Sequence, residues 1–250
     1  MAVLSFRTAV ILFFLIFTWF LIIEVTEIPF YILPSPIDVI NALMANYSIL
    51  GTHVFVTLVE ILAGLILGIL FGSATAIILS LSQAMRFWLL PILVVTQTLP
   101  VFAIAPILVL WLGYDMASKI AMATLIIFFP VTVSLLDGLR SVKQDYLDLA
   151  KTMNATPLSI LQFLSIPNAL PSFASGVRVA TSVAPIGAIV GEWVGSSQGL
   201  GYLMLHANGR MQTDLMFAAL LILSVLALSI YFSVSAIMNV ILSRYSMPTK

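Results

Sequence analysis

No cysteine occurs in the 250 residues, which excludes disulfides and cysteine-ligated zinc or iron–sulfur sites. Histidine is nearly as scarce: His53 and His206 stand alone, without a metal-ligand spacing such as H-E-x-x-H. Only 8% of residues are charged, with Lys+Arg and Asp+Glu at ten each, so net charge gives no reason to expect a nucleic-acid partner. The phosphate-cradling pattern G-x-x-x-x-G-K-[ST] is also missing, which places any ATP hydrolysis on a separate chain.

What the chain has instead is apolar surface. A content of 62% hydrophobic residues is more than a water-facing globule can carry without large exposed patches, so lipid is the expected solvent. About 20 apolar residues of helix cross a hydrocarbon core of roughly 30 Å. Six runs approach that length, at 8–24, 54–81, 88–112, 119–137, 172–191 and 215–241. They are continuous, unlike the short alternating segments of a closed barrel. The expected fold is therefore all-α, a polytopic membrane protein of about six transmembrane helices in a single domain, 1–250, since no repeat or linker divides it. The first run follows Arg7 in the manner of a secretory signal, but no small-residue cleavage pattern comes after it, and it reads as a retained span. Arg7, Arg86, Arg140, Lys143, Lys151, Arg244 and Lys250 fall on one side of this layout, opposed by Lys119 and Arg210. The positive-inside bias puts that side, and both termini, in the cytoplasm.

Two connections are longer than turns. In the outer one, 24–53, Ser35 and Pro36 can open a short amphipathic helix. The inner one, 138–171, is the most polar part of the chain. There residues 144–153 place Asp145 in the first turn of a helix and Lys151 near its last, matching the helix dipole, and Asn154 suits the left-handed stop. Thr156 and Pro157 supply an N-cap and a first position for a second short helix. Helix, turn and helix then project into the cytoplasm.

This loop resembles the "EAA" coupling loop of ABC importer permeases, whose pattern is E-A-A, a short spacer, G, a longer spacer and I-x-L-P. Asp148, Leu149 and Ala150 take the first three places, Asn154 the glycine place, and Ile166, Pro167, Ala169, Leu170 and Pro171 the ending. Asp for Glu keeps the carboxylate and Asn for Gly keeps the turn, while Leu for Ala is a departure. The resemblance implies a type I ABC importer permease architecture in the bacterial inner membrane. It also implies that the chain is a transport subunit rather than an enzyme, and that it carries no cofactor of its own. Its partners would be a cytoplasmic ABC ATPase dimer that binds ATP and Mg, an extracytoplasmic solute-binding protein and a second permease copy, a homodimer if one permease type is used. The coupling contact would fall on Asp148, Ala150, Lys151, Asn154 and Ala155.

The likeness runs over roughly 30–235 through "LPSPIDVI", "QTLPVFAIAPILVLWLGYDMASKI" and "GAIVGEWVGSSQGLGYLM". These resemble the subgroup of permeases for nitrate, sulfonates, taurine and thiamine-precursor pyrimidines, and "QTLP", "AIAP" and "GEWV" resemble the pyrimidine branch most.

Candidate pathway residues are the polar or aromatic groups inside spans or near proline bends: Glu60, Gln97, Trp111 and Glu192. Packing or interfacial anchoring is the competing reading for each. Pro91, Pro100, Pro106, Pro130 and Pro185 remove helical hydrogen bonds and permit bends. Gly64, Gly68 and Gly72 make a smooth strip suited to close helix packing, and Arg178 is expected to snorkel or to brace the coupling loop. "GSSQG" satisfies G-x-S-x-G with Ser197 in the serine place, and with His206 it is the sole motif for an intramembrane serine hydrolase. A nucleophile elbow needs a strand, a sharp turn and a helix on a sheet, which a loop between membrane helices does not offer.

Overall fold

In hydrocarbon a backbone can satisfy its polar groups only within itself, and the apolar runs fold accordingly as helices. The computed structural model describes residues 2–245, with residues 2–9, 12 and 245 described by backbone alone. The order is α1 (Ala2–Thr26), α2 (Pro36–Ala45), α3 (Tyr47–Leu81), α4 (Gln83–Thr98), α5 (Val101–Leu112), α6 (Met116–Arg140), α7 (Gln144–Thr152), α8 (Pro157–Ile160), a π turn (Leu161–Ser165), α9 (Ile166–Gly195), α10 (Leu200–Gly209) and α11 (Thr213–Tyr245). No strand occurs among the described residues. The outer connection forms its short helix as expected: Ser35 caps α2 by accepting from the Asp38 backbone N–H, and Asp38 accepts from the Ser35 N–H in return.

Of the six expected spans, four are continuous helices long and apolar enough to cross a bilayer: α3, α6, the segment Pro157–Gly195 and α11. The run at 88–112 differs from its reading as one span, because it is two helices bent by 101° between Thr98 and Val101. Pro100 sets the break. It forces Leu99 into extended backbone at ψ 132 and supplies no N–H of its own to continue the ladder. The run at 8–24 lies within α1, where the apolar helix with described side chains covers Phe13–Thr26.

The polar loop is shorter than 138–171. Helix resumes at Pro157 and continues through the π turn into α9, so the second short helix is the start of a span. Pro167 explains the π turn: its ring would collide with the carbonyl four residues earlier in a regular helix, and a wider turn relieves that contact.

The core forms where α6 lies between α3 and α9, with Ile61 and Leu65, Ala123, Ile127 and Val131, and Val177, Ala180 and Ala184 buried together. Small residues let these backbones approach. A Cβ on Gly68 would sit 2.5 Å from Ile127 Cγ2, and one on Gly187 would sit 2.6 Å from Ala123 Cα. The glycine strip read from the sequence is therefore the α3 face of the α6 contact. Gly68→Ala is expected to lower the thermal midpoint in detergent by an overpacking cost of about 1–3 kcal/mol. Gly51→Ala, where nothing lies within 4 Å of the added carbon, should leave it unchanged or raise it by up to ~1 kcal/mol of helix propensity.

Candidate functional site

Two polar assemblies stand out, one at each end of the α3–α6–α9 core. The first is the hairpin that follows Arg140. Helix α7 closes as its sequence suggests: Asn154 takes the left-handed conformation at φ 55, and the Ala155 N–H reaches back to the Ala150 carbonyl at 3.0 Å. Thr156 then caps α8 by accepting from the Ser159 N–H at 3.2 Å. Asp148 accepts from Lys151 Nζ at 3.1 Å and from Gln144 Nε2 at 2.9 Å, and these two hydrogen bonds hold its carboxyl below the ordinary aspartate value. Because the folded value is the lower one, this contribution is complete above the ordinary value and fades as pH falls through the lowered one. The pair is exposed on both sides, so it shapes the surface more than it stabilises the fold.

All five nominated coupling residues lie on this hairpin: Asp148, Lys151 and Asn154 are exposed, and Ala150 and Ala155 are half-buried. Tyr146, Leu149 and Met153, at 55%, 58% and 74% exposure, add an apolar stripe along one face of α7 with nothing packed on it. None of these three was among the expected contact residues, Leu149 having been noted only as a departure from the motif, although the spacing of three and four residues between them was the available signal.

The second assembly is a buried knot where α6 begins and α9 ends. Glu60 of α3 and Glu192 of α9 are each 1% exposed, and Glu60 Oε2 has no hydrogen-bond partner among the described residues. Glu192 sits at the N-terminus of α10. One carboxyl oxygen accepts from the Gly201 and Tyr202 backbone N–H groups, and the other accepts from Thr57 Oγ1 at 2.6 Å. Thr57 Oγ1 in turn accepts from the Leu200 N–H at 2.8 Å, and His53 Nδ1 accepts from the Gly199 N–H at 2.9 Å. Four successive N–H groups that open α10 are thus satisfied by side chains of α3 and α9, in the place where a helix dipole favours an acidic group. Gly199 has φ 109, and a Cβ there would meet Glu192 Cδ at 2.2 Å, so glycine is required. Lys119, 2% exposed at the start of α6, donates to the Tyr114 and Asp115 carbonyls and faces both glutamates. Its ammonium forms no ion pair with either, since Lys151–Asp148 is the one ion pair among the described residues.

The four nominated pathway residues therefore separate into two pairs. Glu60 and Glu192, expected beside an open route, are sealed inside the knot, whereas Gln97 on α4 and Trp111 on α5 are exposed. Arg178 does not brace the coupling loop: its guanidinium donates to Asn239 Oδ1 of α11 at 2.7 Å. Ser197 lies in the turn between α9 and α10, with no strand before it and no hydrogen bond to His206 among the described residues.

The family model for a binding-protein-dependent transport system inner membrane component matches residues 64–247. The chain belongs to that family of ABC importer permeases. Among curated relatives it is 56% identical over 225 residues to a Haemophilus influenzae protein named "Probable ABC transporter permease protein", covering 90% of this chain and 92% of that one. It is 38% identical over 213 residues to the formylaminopyrimidine transport permease protein ThiX of Halalkalibacterium halodurans, covering 85% of each. Among solved structures, an inward-facing MetNI methionine ABC transporter chain shares the fold at a TM-score of 0.67 and 18% identity, over 78% of this permease and 97% of that chain.

Proposed function

We propose that this permease forms the translocation pathway of an importer whose motor is a separate ATPase, and that the motor grips the hairpin 141–156. The observation that carries this reading is the uncovered apolar stripe Tyr146, Leu149 and Met153, set on a polar hairpin that juts from the core beside Asp148. A stripe of that kind on a short helix is the geometry of a helix laid into a partner's groove. ATP and Mg are bound by the partner, whose closure moves the hairpin and, through the unbroken segment Pro157–Gly195, the core. Two copies of this chain face each other across the route, to which the exposed Gln97 and Trp111 of the bent α4–α5 pair contribute. The knot holds α3, α9 and α10 as one block at the far end, so that movement at the hairpin is delivered there as rigid-body motion.

The basic hairpin end lies in the cytoplasm and an extracytoplasmic binding protein delivers solute to the knot end. Similarity to a formylaminopyrimidine permease supports a small thiamine-precursor pyrimidine as that solute. The test is to co-express the permease with the ATPase and binding protein encoded beside it and to measure ATP-dependent uptake into vesicles. Pyrimidine uptake that needs all three chains is expected. A permease that purifies without the ATPase, or that transports unaided, would refute the reading. Ser197→Ala should leave uptake unchanged, and loss of uptake with normal assembly would revive a chemical role for that serine.

A further inference from the structure

The geometry points to a binding site for the phosphate headgroup of an anionic phospholipid at the hairpin end of the bundle, with Arg86 and Arg140 as its ligands. Two adjoining cavities, of about 530 and 700 Å³, meet there and share these two arginines. Arg86 enters from the first turn of α4 and Arg140 from the last turn of α6. Among the described residues neither guanidinium makes a hydrogen bond or an ion pair, although each is a planar fork matched to phosphate oxygens. The first cavity adds Lys151 and the hydroxyls of Ser80 and Ser165, and no acidic side chain lines either cavity.

The second cavity has a different character, which selects a lipid over a free anion. It opens along α4 past Phe87, Trp88 and Ile92, which are 72%, 71% and 56% exposed. An inorganic phosphate gains nothing from that floor. A diacyl phospholipid fills both parts, with its phosphate between the arginines and an acyl chain along the apolar face of α4, where Trp88 sits at interfacial depth. The hairpin's Leu147, Lys151 and Ala155 wall part of the first cavity, so a bound lipid adjoins the proposed ATPase contact, but the two arginines and the apolar floor along α4 lie outside the hairpin.

Native mass spectrometry of the complete transporter, released from vesicles of phosphatidylglycerol and phosphatidylethanolamine, tests it. The wild type should retain phosphatidylglycerol, and Arg86→Gln with Arg140→Gln should lower retention by about fivefold or more. Arg86→Lys with Arg140→Lys should recover part of it, and Arg210→Gln at the other end should change nothing. A Gln pair that still retains the lipid would overturn the proposal. Displacement of the lipid by millimolar inorganic phosphate alone would also overturn it in favour of a free-anion site, and loss of the ATPase with lipid retention intact would assign the arginines to the partner. If the Gln pair does not assemble, the unmodified complex decides. A photoreactive phosphatidylglycerol should label the peptide spanning residues 83–92 several times faster than photoreactive phosphatidylcholine, and equal labelling refutes the site. Failure here alongside normal ATP-driven uptake would leave the functional reading untouched.

Discussion

ATP-driven uptake is expected to fall about thirtyfold or more when Leu149 is replaced by Asp, which corresponds to losing an interface anchor of roughly 2 kcal/mol or more. Leu149 is the centre of the stripe on α7, with Tyr146 and Met153 on either side, and its side chain is 58% exposed in the isolated chain. A carboxylate there would be desolvated against the apolar partner surface that the proposal requires. The fold itself should not respond, because a surface substitution away from a cap or core usually stays within about 0.5 kcal/mol. The useful result is that separation: an unchanged melting temperature and membrane yield, together with fewer ATPase chains recovered per permease. Leu149→Met should restore most of the uptake. Were Leu149→Asp to keep full uptake, or to lose it while holding its full complement of ATPase, the stripe would not be the grip.

Replacing Glu192 with Ala should be the most damaging single change to the fold. It would leave the Gly201 and Tyr202 N–H groups without their acceptor, Thr57 without its carboxyl partner, and Glu60 and Lys119 buried beside a void. Removing one partner from a buried polar set costs about 3–5 kcal/mol, or roughly 6–20 °C in thermal midpoint for a chain of this size. Glu192→Gln keeps the shape and one carbonyl acceptor and should cost less. Gly199→Ala attacks the same carboxyl from the other side, through the close approach to Glu192 Cδ and the strain at φ 109. Because both changes act on one contact, their combined effect should fall short of the sum. A Glu192→Ala permease that melts with the wild type would show that the knot does not hold this end together.

Much of this was legible in the sequence because it depends on near neighbours. The apolar runs specify helices, Ser35 with Asp38 specifies a capping box, and Asn154 followed by Thr156 and Pro157 specifies where α7 stops and helix resumes. The bend at Leu99–Pro100 was half legible: proline announced a perturbation, but the two helices together are apolar enough to read as one span, which concealed a turn of 101°. The continuation from Pro157 into α9 was hidden by its own prolines, which read as a loop until a π turn accommodates them. The knot was least legible. Glu60 and Glu192 were visible as costly intramembrane carboxyls, but their joint burial, the role of Thr57 and the burial of Lys119 all depend on how α3, α6 and α9 pack. No local pattern encodes those meetings. For the same reason Lys119 looked like a stray cation on the wrong side of the membrane, when it is a buried side chain that bonds the carbonyls of the turn before α6.

The absence of native cysteine makes the coupling contact directly measurable. A single cysteine placed at Leu149 in the assembled transporter should cross-link to a cysteine in the ATPase surface groove in high yield, and the yield should change between nucleotide-free and ATP-bound states. Cross-linking at Leu149 no greater than at a cysteine placed at Tyr47, on the opposite end of α3, would contradict the account.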